Sequence, residues 1–293
     1  MFTPAERKAC LKLVALALAE DLGATGDCTS NAIIPIGAHG SAAFVSRSLG
    51  VLAGLPAVEL VCAVVDPQLQ VEDKLADGSP LVKGTKLATI TGPMRSLLAA
   101  ERTALNFLQR MSGIATATKS CADLVAGWNG RILDTRKTAP GWRLLEKYAV
   151  RMGGGHNHRI GLYDAILIKD NHIAAISASG ANPLRRAVEM ARAHPGNAGL
   201  AVEIEVDGLE QLNDVLPAKP EIVLLDNMPV HAMRAAVALR NQLSPDTLLE
   251  ASGGITKETI RAIADTGIDR ISIGALTHSA PALDIGLDYL TDV

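Results

Sequence analysis

Aromatic residues are scarce in this chain, at 3% of its 293 residues, although apolar residues as a whole make up 48%. A core large enough for a globular fold can therefore form, but it has to be built from Ala, Val, Ile and Leu. A basic excess is also missing, since 28 Lys and Arg residues face 31 Asp and Glu residues for a net charge of −3. This balance argues against a nucleic-acid-binding protein. No stretch approaches the roughly 20 apolar residues of a membrane span.

Cysteine is equally sparse, and the four residues include no Cys-x-x-Cys pair: Cys10, Cys28, Cys62 and Cys121. This spacing excludes the usual zinc and redox motifs, and dispersed thiols of this kind predict a cytoplasmic protein with reduced cysteines. A faint imitation of a signal peptide runs from Arg7 to Ala19, but Lys12 interrupts it. Pro4 and Glu6 instead indicate the start of an ordinary helix.

The first third of the chain mixes helix and strand patterns in no βαβ order. Residues 4–20 are predicted to form a helix whose apolar positions lie on one stripe: Leu11, Val14, Ala15 and Leu18. Residues 55–65 are predicted to form a buried helix. Four strand-like segments lie around it, at 42–45, 51–53, 69–72 and 87–91. We expect a small α+β domain, followed over residues 94–125 by one long helix or by two helices broken near Ser112 and Gly113.

The rest of the chain repeats a strand-then-helix pattern. Short apolar runs begin at six positions: Ile132, Ala165, Val202, Ile222, Leu248 and Ile271. Helical patterns lie between them, which predicts parallel strands with helical crossovers. Polar and charged residues follow the apolar runs, at the carboxyl ends of the predicted strands. An α/β barrel assembles its active site there, and so does an open doubly wound sheet; we favour the barrel because nothing marks a reversal of strand order.

Two glycine-containing turns are candidates for binding phosphate. Ser252, Gly253 and Gly254 follow one predicted strand, and Gly274 to His278 follow the next. Glycines let backbone N–H groups approach an anion, and a following helix adds its positive end. A pair of such turns late in a barrel is a common phosphate site, although the glycines could also simply end the strands.

Two carboxylates on adjacent units, Glu205 and Asp226, are predicted at strand ends. Carboxylates in such positions are costly unless they hold a metal or a cation. Mg²⁺ on a diphosphate fits them, and so does a salt bridge to Lys137 or Lys169. Glu203 lies on the same strand face as Glu205, and spacing alone does not separate their roles.

Residues 131–172 form a basic island, with eight cations and four acids in an otherwise acidic chain. Its candidate binding residues lie near three histidines: Arg136, Lys137, Arg159 and Lys169, with His156, His158 and His172. Converging cations predict a small ligand with more than one carboxylate or phosphate, and the histidine spacing is not that of a zinc site. Three further cations recur every four residues and are predicted to form a solvated stripe on a helix: Arg143, Lys147 and Arg151. Trp142 and Tyr148 are predicted to pack in the interior.

Nine sequence blocks together resemble the quinolinate phosphoribosyltransferases, a type II phosphoribosyltransferase family also called carboxylating nicotinate-nucleotide pyrophosphorylases. They run in family order over about residues 15–290: ERTALN (101–106), LDTRKT (133–138), KYAV (147–150), GGGHNHR (153–159), IKDNH (168–172), VEIEV (202–206), LDNM (225–228), EASGGI (250–255) and GALTH (274–278). Several long blocks in one order make the resemblance specific.

The resemblance implies an open-faced α/β sandwich domain over residues 1–112, joined by a C-terminal segment of about 278–293. It implies a TIM-like α/β barrel of seven strands over residues 113–277, one strand more than the apolar runs show. It also implies a homodimer in which Arg102 reaches the partner's active site, with no nucleic-acid or membrane partner.

The implied reaction joins quinolinate to phosphoribosyl pyrophosphate and gives nicotinate mononucleotide, pyrophosphate and CO₂ for NAD biosynthesis. The implied catalytic residues are Lys137, Glu205 and Asp226, of which Glu205 and Asp226 would hold Mg²⁺. The implied quinolinate-binding residues are Arg102, Thr135, Arg136, His158, Arg159 and Lys169. The implied phosphate-binding residues are Ser252, Gly253, Gly254, Gly274 and His278. No organic cofactor is expected, because positioning and charge neutralisation suffice if decarboxylation follows nucleotide formation.

Two other functions fit parts of the same sequence. A barrel aldolase would use Lys169 as a Schiff-base nucleophile, which requires a desolvated lysine. A non-catalytic paralogue in metal or molybdate handling would keep the fold without turnover. Retention of the charged residues in every block argues against the paralogue.

Overall fold

A computed structural model describes residues 1–177 and 182–290 of the chain. The chain divides into two compact units. The first contains Met1–Ser120, Lys137–Gly155 and Ala275–Val293, and the second contains Cys121–Arg136 and His156–Gly274. The domain boundaries expected at residues 112 and 277 stay a prediction, and residues 291–293 of the expected C-terminal segment lie outside the described residues.

The elements of the first part of the chain, in order, are α1 (Pro4–Leu22), α2 (Cys28–Ile33), β1 (His39–Ser46), β2 (Gly50–Val51), α3 (Leu55–Val65), β3 (Gln70–Glu72), β4 (Pro80–Leu81), β5 (Lys86–Pro93) and α4 (Met94–Leu124). Across the described ranges, no helix is long and apolar enough to cross a membrane.

The remaining elements are β6 (Arg131–Leu133), α5 (Arg143–Met152), β7 (Ile166–Ile168), α6 (Asp170–Ser177), α7 (Pro183–Ala193), β8 (Val202–Val206), α8 (Leu209–Val215), β9 (Ile222–Asp226), α9 (Val230–Leu243), β10 (Leu248–Ser252), α10 (Ile260–Ala264), β11 (Arg270–Ser272), α11 (Ala275–His278) and β12 (Ile285–Leu290). Single 3₁₀ turns lie at Pro195–Asn197 and Leu216–Ala218.

Helix α1 confirms the predicted N-terminal helix but buries a different stripe. Thr3 and Glu6 form a capping box, in which each side chain accepts a hydrogen bond from the other residue's backbone N–H. The buried positions recur every four residues: Glu6, Cys10, Val14 and Leu18. Leu11 and Ala15, which were predicted to be buried, are exposed. The buried face of the helix contains Cys10 and Val14, the residues just before them.

The first unit is organised around an antiparallel sheet with the strand order β12-β1-β5-β3, and β2 and β4 form a separate ribbon. The C-terminal strand β12 pairs with β1 along its full length, from Ser41 opposite Leu290 to Ser46 opposite Ile285. The last described strand is therefore an integral part of the sheet that begins near residue 39.

Helix α4 is continuous, so the alternative of two helices is wrong. A Cβ atom at Gly113 would lie 2.0 Å from the carbonyl oxygen of Pro281. The hydroxyl of the preceding residue, Ser112, donates to the carbonyl of Ala53 at 3.0 Å and accepts from its N–H at 3.0 Å. Gly113 thus allows a close backbone approach within the first unit and does not end the helix.

Helix α5 is more buried than its charged residues predict. The prediction that Lys147 faces solvent is wrong, because this residue is 0% exposed. Arg151 pairs with Glu6 of α1 at 2.6 Å and lies over the ring of Tyr148. Packing roles are confirmed for both aromatic residues. Tyr148 is 1% exposed, and Trp142 stacks on Phe107 with ring centroids 4.8 Å apart.

The second unit is built on a parallel sheet with the strand order β6-β11-β10-β9-β8-β7, and its strands match the six predicted apolar runs. The first strand, β6, pairs with the last, β11, and the order shows none of the reversal that a doubly wound sheet requires. This is the strand order of an α/β barrel. Beyond β6, His156 forms a single parallel bridge with Leu133. A bridge of one residue is too short to show as an apolar run.

Candidate active site

The second unit places the predicted site residues at the carboxyl ends of its parallel strands. Thr135 and Arg136 follow β6, Lys169 follows β7, and Glu205 lies in the last part of β8. Three further residues occupy the ends of the next strands: Asp226 in β9, Ser252 in β10 and Gly274 just after β11. Parallel strands aligned in register bring their carboxyl ends to one edge, where α/β proteins bind ligands.

Two half-buried arginines of the basic island, Arg136 and Arg159, interact electrostatically. Burial lowers the pKa of Arg159, and the neighbouring positive charge of Arg136 lowers it further. One guanidinium nitrogen of Arg159 donates to the carbonyl of Ala165 at 3.2 Å. Two like charges held together in a partly desolvated place favour an anionic ligand that neutralises both.

Lys169 and Glu205 form the salt bridge that the sequence left open as an alternative to a metal site. The Lys169 Nζ lies 2.5 Å from Glu205 Oε2, with 45% of the lysine side chain and 12% of the glutamate side chain exposed. A Schiff-base nucleophile needs a desolvated lysine, and this one is half exposed and bound to a carboxylate. The environment of Lys169 therefore disfavours the aldolase function.

The predicted phosphate turn after β10 is closely fitted to the end of β9. The Asn227 N–H donates to the carbonyl of Ser252 at 2.9 Å, and Asn227 has a φ of +52°. Gly253 has a φ of +89°, and a Cβ atom there would lie 2.2 Å from Asn227 Oδ1. Gly254 also has a positive φ, +58°, but no atom of the described residues lies closer than 4.0 Å to its Cβ position. The turn therefore leaves more space beside Gly254 than beside Gly253.

A buried ion cluster of His158, Glu203, Glu250 and Arg270 lies within the second unit. The His158 Nε2 is 3.1 Å from Glu203 Oε2 and 3.3 Å from Glu250 Oε1. Arg270 donates from Nε to the other oxygen of Glu250 at 2.6 Å. Glu203 and Glu250 are 2% and 0% exposed. The cluster balances two carboxylates with two basic side chains, which is how buried carboxylates are tolerated.

The surroundings of the two His158 ring nitrogens favour different charge states. Burial by itself lowers the pKa of His158, but the contacts with Glu203 and Glu250 outweigh it and raise the pKa to about 9. The Arg159 N–H points at Nδ1 over 2.8 Å, a contact that suits the neutral ring. Two buried carboxylates outweigh one backbone dipole, so the ring is held as an imidazolium at neutral pH.

The two carboxylates of the buried ion cluster have different surroundings. Burial raises the pKa of Glu203, and the nearby charge of Glu250 adds to that effect. Burial also opposes ionisation of Glu250, but His158 and Arg270 outweigh it and lower the pKa of Glu250. Glu203 and Glu205, which spacing did not separate, are now distinct: Glu203 belongs to the buried ion cluster and Glu205 to the strand-end site.

Asp134 connects the end of β6 to the turn that carries His158. One of its oxygens accepts the His158 N–H at 2.9 Å, and the other accepts the side-chain amide of Asn157 at 2.6 Å. Asp134 is 0% exposed and immediately precedes Thr135 and Arg136. The segment that bears Arg159 is thus tied to the segment that bears Arg136.

Sequence reasoning missed Glu250, Arg270 and Asp134. A signal for Glu250 was present, because a charged residue stands in the apolar run at 248–251, two positions before Ser252 and so on the same strand face. Arg270 and Asp134 gave no comparable signal. Arg270 precedes its apolar run, and Asp134 is indistinguishable in the sequence from the other charges of the basic island.

The first unit contains the other three predicted site residues, Arg102, Lys137 and His278, all exposed. Thr277, the neighbour of His278, donates from its hydroxyl to the Lys137 carbonyl at 2.7 Å. His278 Nδ1 lies 2.6 Å from the hydroxyl of Ser279. The hydrogen bond from the Thr277 hydroxyl therefore joins the Lys137 and His278 segments within this unit.

A buried ion pair supports the same two segments. Glu146 accepts from Arg110 at 2.6 Å and from the backbone N–H of Ala139 at 3.2 Å. Arg110 also donates to the Thr277 carbonyl at 2.6 Å. Glu146 is 0% exposed, so this support lies in the interior of the first unit.

The fold and the strand-end residues define an α/β protein that binds a ligand with several anionic groups. Profiles of known families make the class specific. The N-terminal domain of quinolinate phosphoribosyl transferase matches residues 27–112, and the C-terminal domain matches residues 114–288. The chain belongs to the quinolinate phosphoribosyltransferase family, as its sequence blocks predict.

Individual relatives agree with the family. The chain is 45% identical to the carboxylating nicotinate-nucleotide pyrophosphorylase of Mycobacterium leprae over 98% of this chain and 100% of the relative. It is 41% identical to a decarboxylating quinolinate phosphoribosyltransferase of Nicotiana tabacum over 96% of this chain and 82% of the relative. The solved nicotinate-nucleotide pyrophosphorylase of Francisella tularensis superposes with a TM-score of 0.89 at 38% identity, covering 99% and 98% of the two chains.

Proposed function

We propose that this chain is an enzyme that transfers the phosphoribosyl group of phosphoribosyl pyrophosphate to quinolinate with loss of CO₂. The observation that carries the proposal is the electrostatically coupled pair Arg136 and Arg159, held at the strand-end edge of a chain of this family. Quinolinate carries two adjacent carboxylates, and two neighbouring guanidinium groups match such a dianion better than a monoanion.

The quinolinate site is proposed to consist of the two arginines, Thr135 and Lys169, with Arg102 from a partner subunit. Each guanidinium can bind both oxygens of a carboxylate, and Lys169 adds a compact charge. Lys169 already pairs with Glu205, so quinolinate would share this lysine with that carboxylate. The homodimer that Arg102 requires is part of the proposal, as is the cytoplasmic location expected from reduced thiols.

Glu205 and Asp226 are proposed to face the ribose of phosphoribosyl pyrophosphate. As pyrophosphate leaves, the anomeric carbon becomes cation-like, and fixed carboxylates stabilise that charge. Lys137 is proposed to bind the leaving diphosphate. Ser252, Gly253, Gly254, Gly274 and His278 are proposed to bind the 5′-phosphate.

The chemistry of the Glu205 and Asp226 side chains also fits Mg²⁺. Both present carboxylate oxygens and both are partly exposed, as expected for an ion that keeps several waters and binds a diphosphate. The buried ion cluster fits Mg²⁺ less well, because Arg270 and His158 already neutralise its carboxylates. When bound, Mg²⁺ would neutralise charge on the diphosphate.

Decarboxylation is proposed to follow nucleotide formation. Bond formation at the ring nitrogen makes a pyridinium, and loss of CO₂ from C2 then leaves an electron pair that the positive nitrogen stabilises until C2 is protonated. The protein needs only to hold the dianion and neutralise it. Quinolinate that loses CO₂ without phosphoribosyl pyrophosphate would refute this order.

Release of pyrophosphate from phosphoribosyl pyrophosphate and Mg²⁺ tests the function, in parallel reactions with quinolinate and nicotinate. We expect release with quinolinate alone, matched by an equal amount of CO₂. Release with nicotinate instead would refute the two-carboxylate site. No release with either substrate from a folded dimer would favour the non-catalytic paralogue.

A further inference from the structure

His158 is predicted by resemblance to touch quinolinate, but its ring nitrogens are engaged inside the protein. Nε2 lies between Glu203 and Glu250, and Nδ1 lies 2.8 Å from the backbone nitrogen of Arg159. Only 8% of the side chain is exposed. The ring would have to leave the buried ion cluster before it could offer a nitrogen to a substrate carboxylate.

Resting on the proposed function, we infer that His158 is a positioning residue: Glu203 and Glu250 hold its ring, Asp134 holds its backbone N–H, and His158 fixed in this way positions the adjacent Arg159, whose guanidinium binds a quinolinate carboxylate. His158 thereby acts through Arg159. Glu203 and Glu250 become determinants of quinolinate binding although both are buried away from solvent.

The burial of the cluster favours a positioning role over a purely stabilising one. Two buried carboxylates are costly to desolvate, and apolar residues of similar size often stabilise a core at least as well. The ion pairs at 3.1 and 3.3 Å instead hold Nε2 between the two carboxylates, and Nε2 also forms a hydrogen bond with Glu203 Oε1 at 3.4 Å. Such contacts specify an orientation, which apolar packing does less sharply.

Another, independent contact acts on the same turn. Asp134 receives the backbone N–H of His158 at 2.9 Å and the side chain of Asn157 at 2.6 Å. The turn is therefore held from the end of β6 and from the interior of the sheet at once. Because Arg159 follows His158 directly, these contacts also fix the position of its backbone relative to Arg136.

A double-mutant cycle between Glu250 and Arg159 tests the inference. Glu250→Gln keeps the shape of the side chain and weakens its hold on His158. We expect it to raise the KM for quinolinate about tenfold in the wild-type background and to leave the KM for phosphoribosyl pyrophosphate within about twofold. In an Arg159→Lys background, Glu250→Gln should add less than about twofold, because the residue through which it acts is already altered.

The matched control is Arg240→Gln, which breaks another ion pair of the second unit, between the buried Arg240 and the partly exposed Asp269 at 2.7 Å. It should lower Tm by a similar amount and leave the KM for quinolinate unchanged. If Glu250→Gln does not fold, Glu203→Gln is carried through the same cycle.

An unchanged quinolinate KM in folded Glu250→Gln would overturn the inference. So would a full tenfold effect in the Arg159→Lys background, which indicates a direct contact between His158 and substrate. An equal KM change in Arg240→Gln would reduce the cluster to a structural role and also overturn it. Wild-type protein without quinolinate turnover would instead overturn the proposed function, and the inference with it.

Discussion

Replacing Gly253 by alanine perturbs the turn after β10 in two ways that can be separated. The backbone is strained because φ is +89°, and the new Cβ would lie 2.2 Å from Asn227 Oδ1 and 3.0 Å from the Asn227 backbone nitrogen. Gly254→Ala provides the matched control. It has a similar strain at φ +58° but no contact closer than 4.0 Å with any described residue.

The expected magnitudes follow from these two terms. A left-handed conformation costs an alanine about 1–2 kcal/mol, and both variants incur that cost. Forcing a methyl group into an occupied place costs a further ~1–3 kcal/mol, which only Gly253→Ala incurs. Gly253→Ala should therefore melt below Gly254→Ala by roughly 2–10 °C.

Function should follow the same difference if the turn binds the 5′-phosphate. Displacing Asn227 and the Ser252 carbonyl redirects the N–H groups of the turn. We expect the KM for phosphoribosyl pyrophosphate to rise about tenfold or more in Gly253→Ala, and the KM for quinolinate to change little. Melting by calorimetry and steady-state kinetics on both glycine variants provide the assay. Equal Tm values for the two variants, or a larger change in the KM for quinolinate, would refute the reasoning.

Three further perturbations have defined outcomes. The pKa of His158 is raised from an ordinary 6.5 to about 9, so the stability it contributes is complete below pH 6.5 and is lost as the pH rises through 9. The free energy of unfolding measured in urea should fall by on the order of 3 kcal/mol between pH 6.5 and 10. An equal fall in a His158→Asn variant would show that His158 is not the group responsible. Cys28 is the exposed thiol among the four described cysteines, so a thiol reagent should modify one group rapidly in the native protein; a second fast thiol would show that a buried cysteine opens. Arg110→Met leaves the Glu146 carboxylate uncompensated and should cost about 3–5 kcal/mol by calorimetry, with reduced kcat because the Lys137 segment loses support. Unchanged Tm and kcat would show that other contacts fix that segment.

The parts of the fold that the sequence predicts well are those with a repeating apolar pattern. The short apolar runs predict the starts of all six strands of the parallel sheet to within one residue, and the apolar segment after Gly54 predicts the helix at Leu55–Val65. The bridge at His156 could not be predicted, because a one-residue strand has no period. Gly113 has the sequence signature of a helix break, whereas its reason lies far along the chain, at the carbonyl of Pro281.

For the charged residues, too, the sequence predicts some features and not others. Placement of Arg136, Lys169 and Glu205 near strand ends follows from the pattern of apolar runs. The pattern left the partner of Glu205 open between Mg²⁺, Lys137 and Lys169, because Lys169 and Glu205 are 36 residues apart in the chain. The burial of Lys147 was also hidden, since a helical stripe of cations has the same pattern whether it faces solvent or a neighbouring helix.

The pairing of β12 with β1 has a consequence for the order in which the chain can fold during synthesis. Strand β1 is made before β12, with the whole second unit between them. The second unit is complete once residue 274 has emerged, whereas β1 keeps an unpaired edge until Ile285–Leu290 arrive. An open strand edge invites pairing with other chains. Nascent chains should therefore be most prone to aggregation at the sheet that contains β1, in the interval before β12 has emerged.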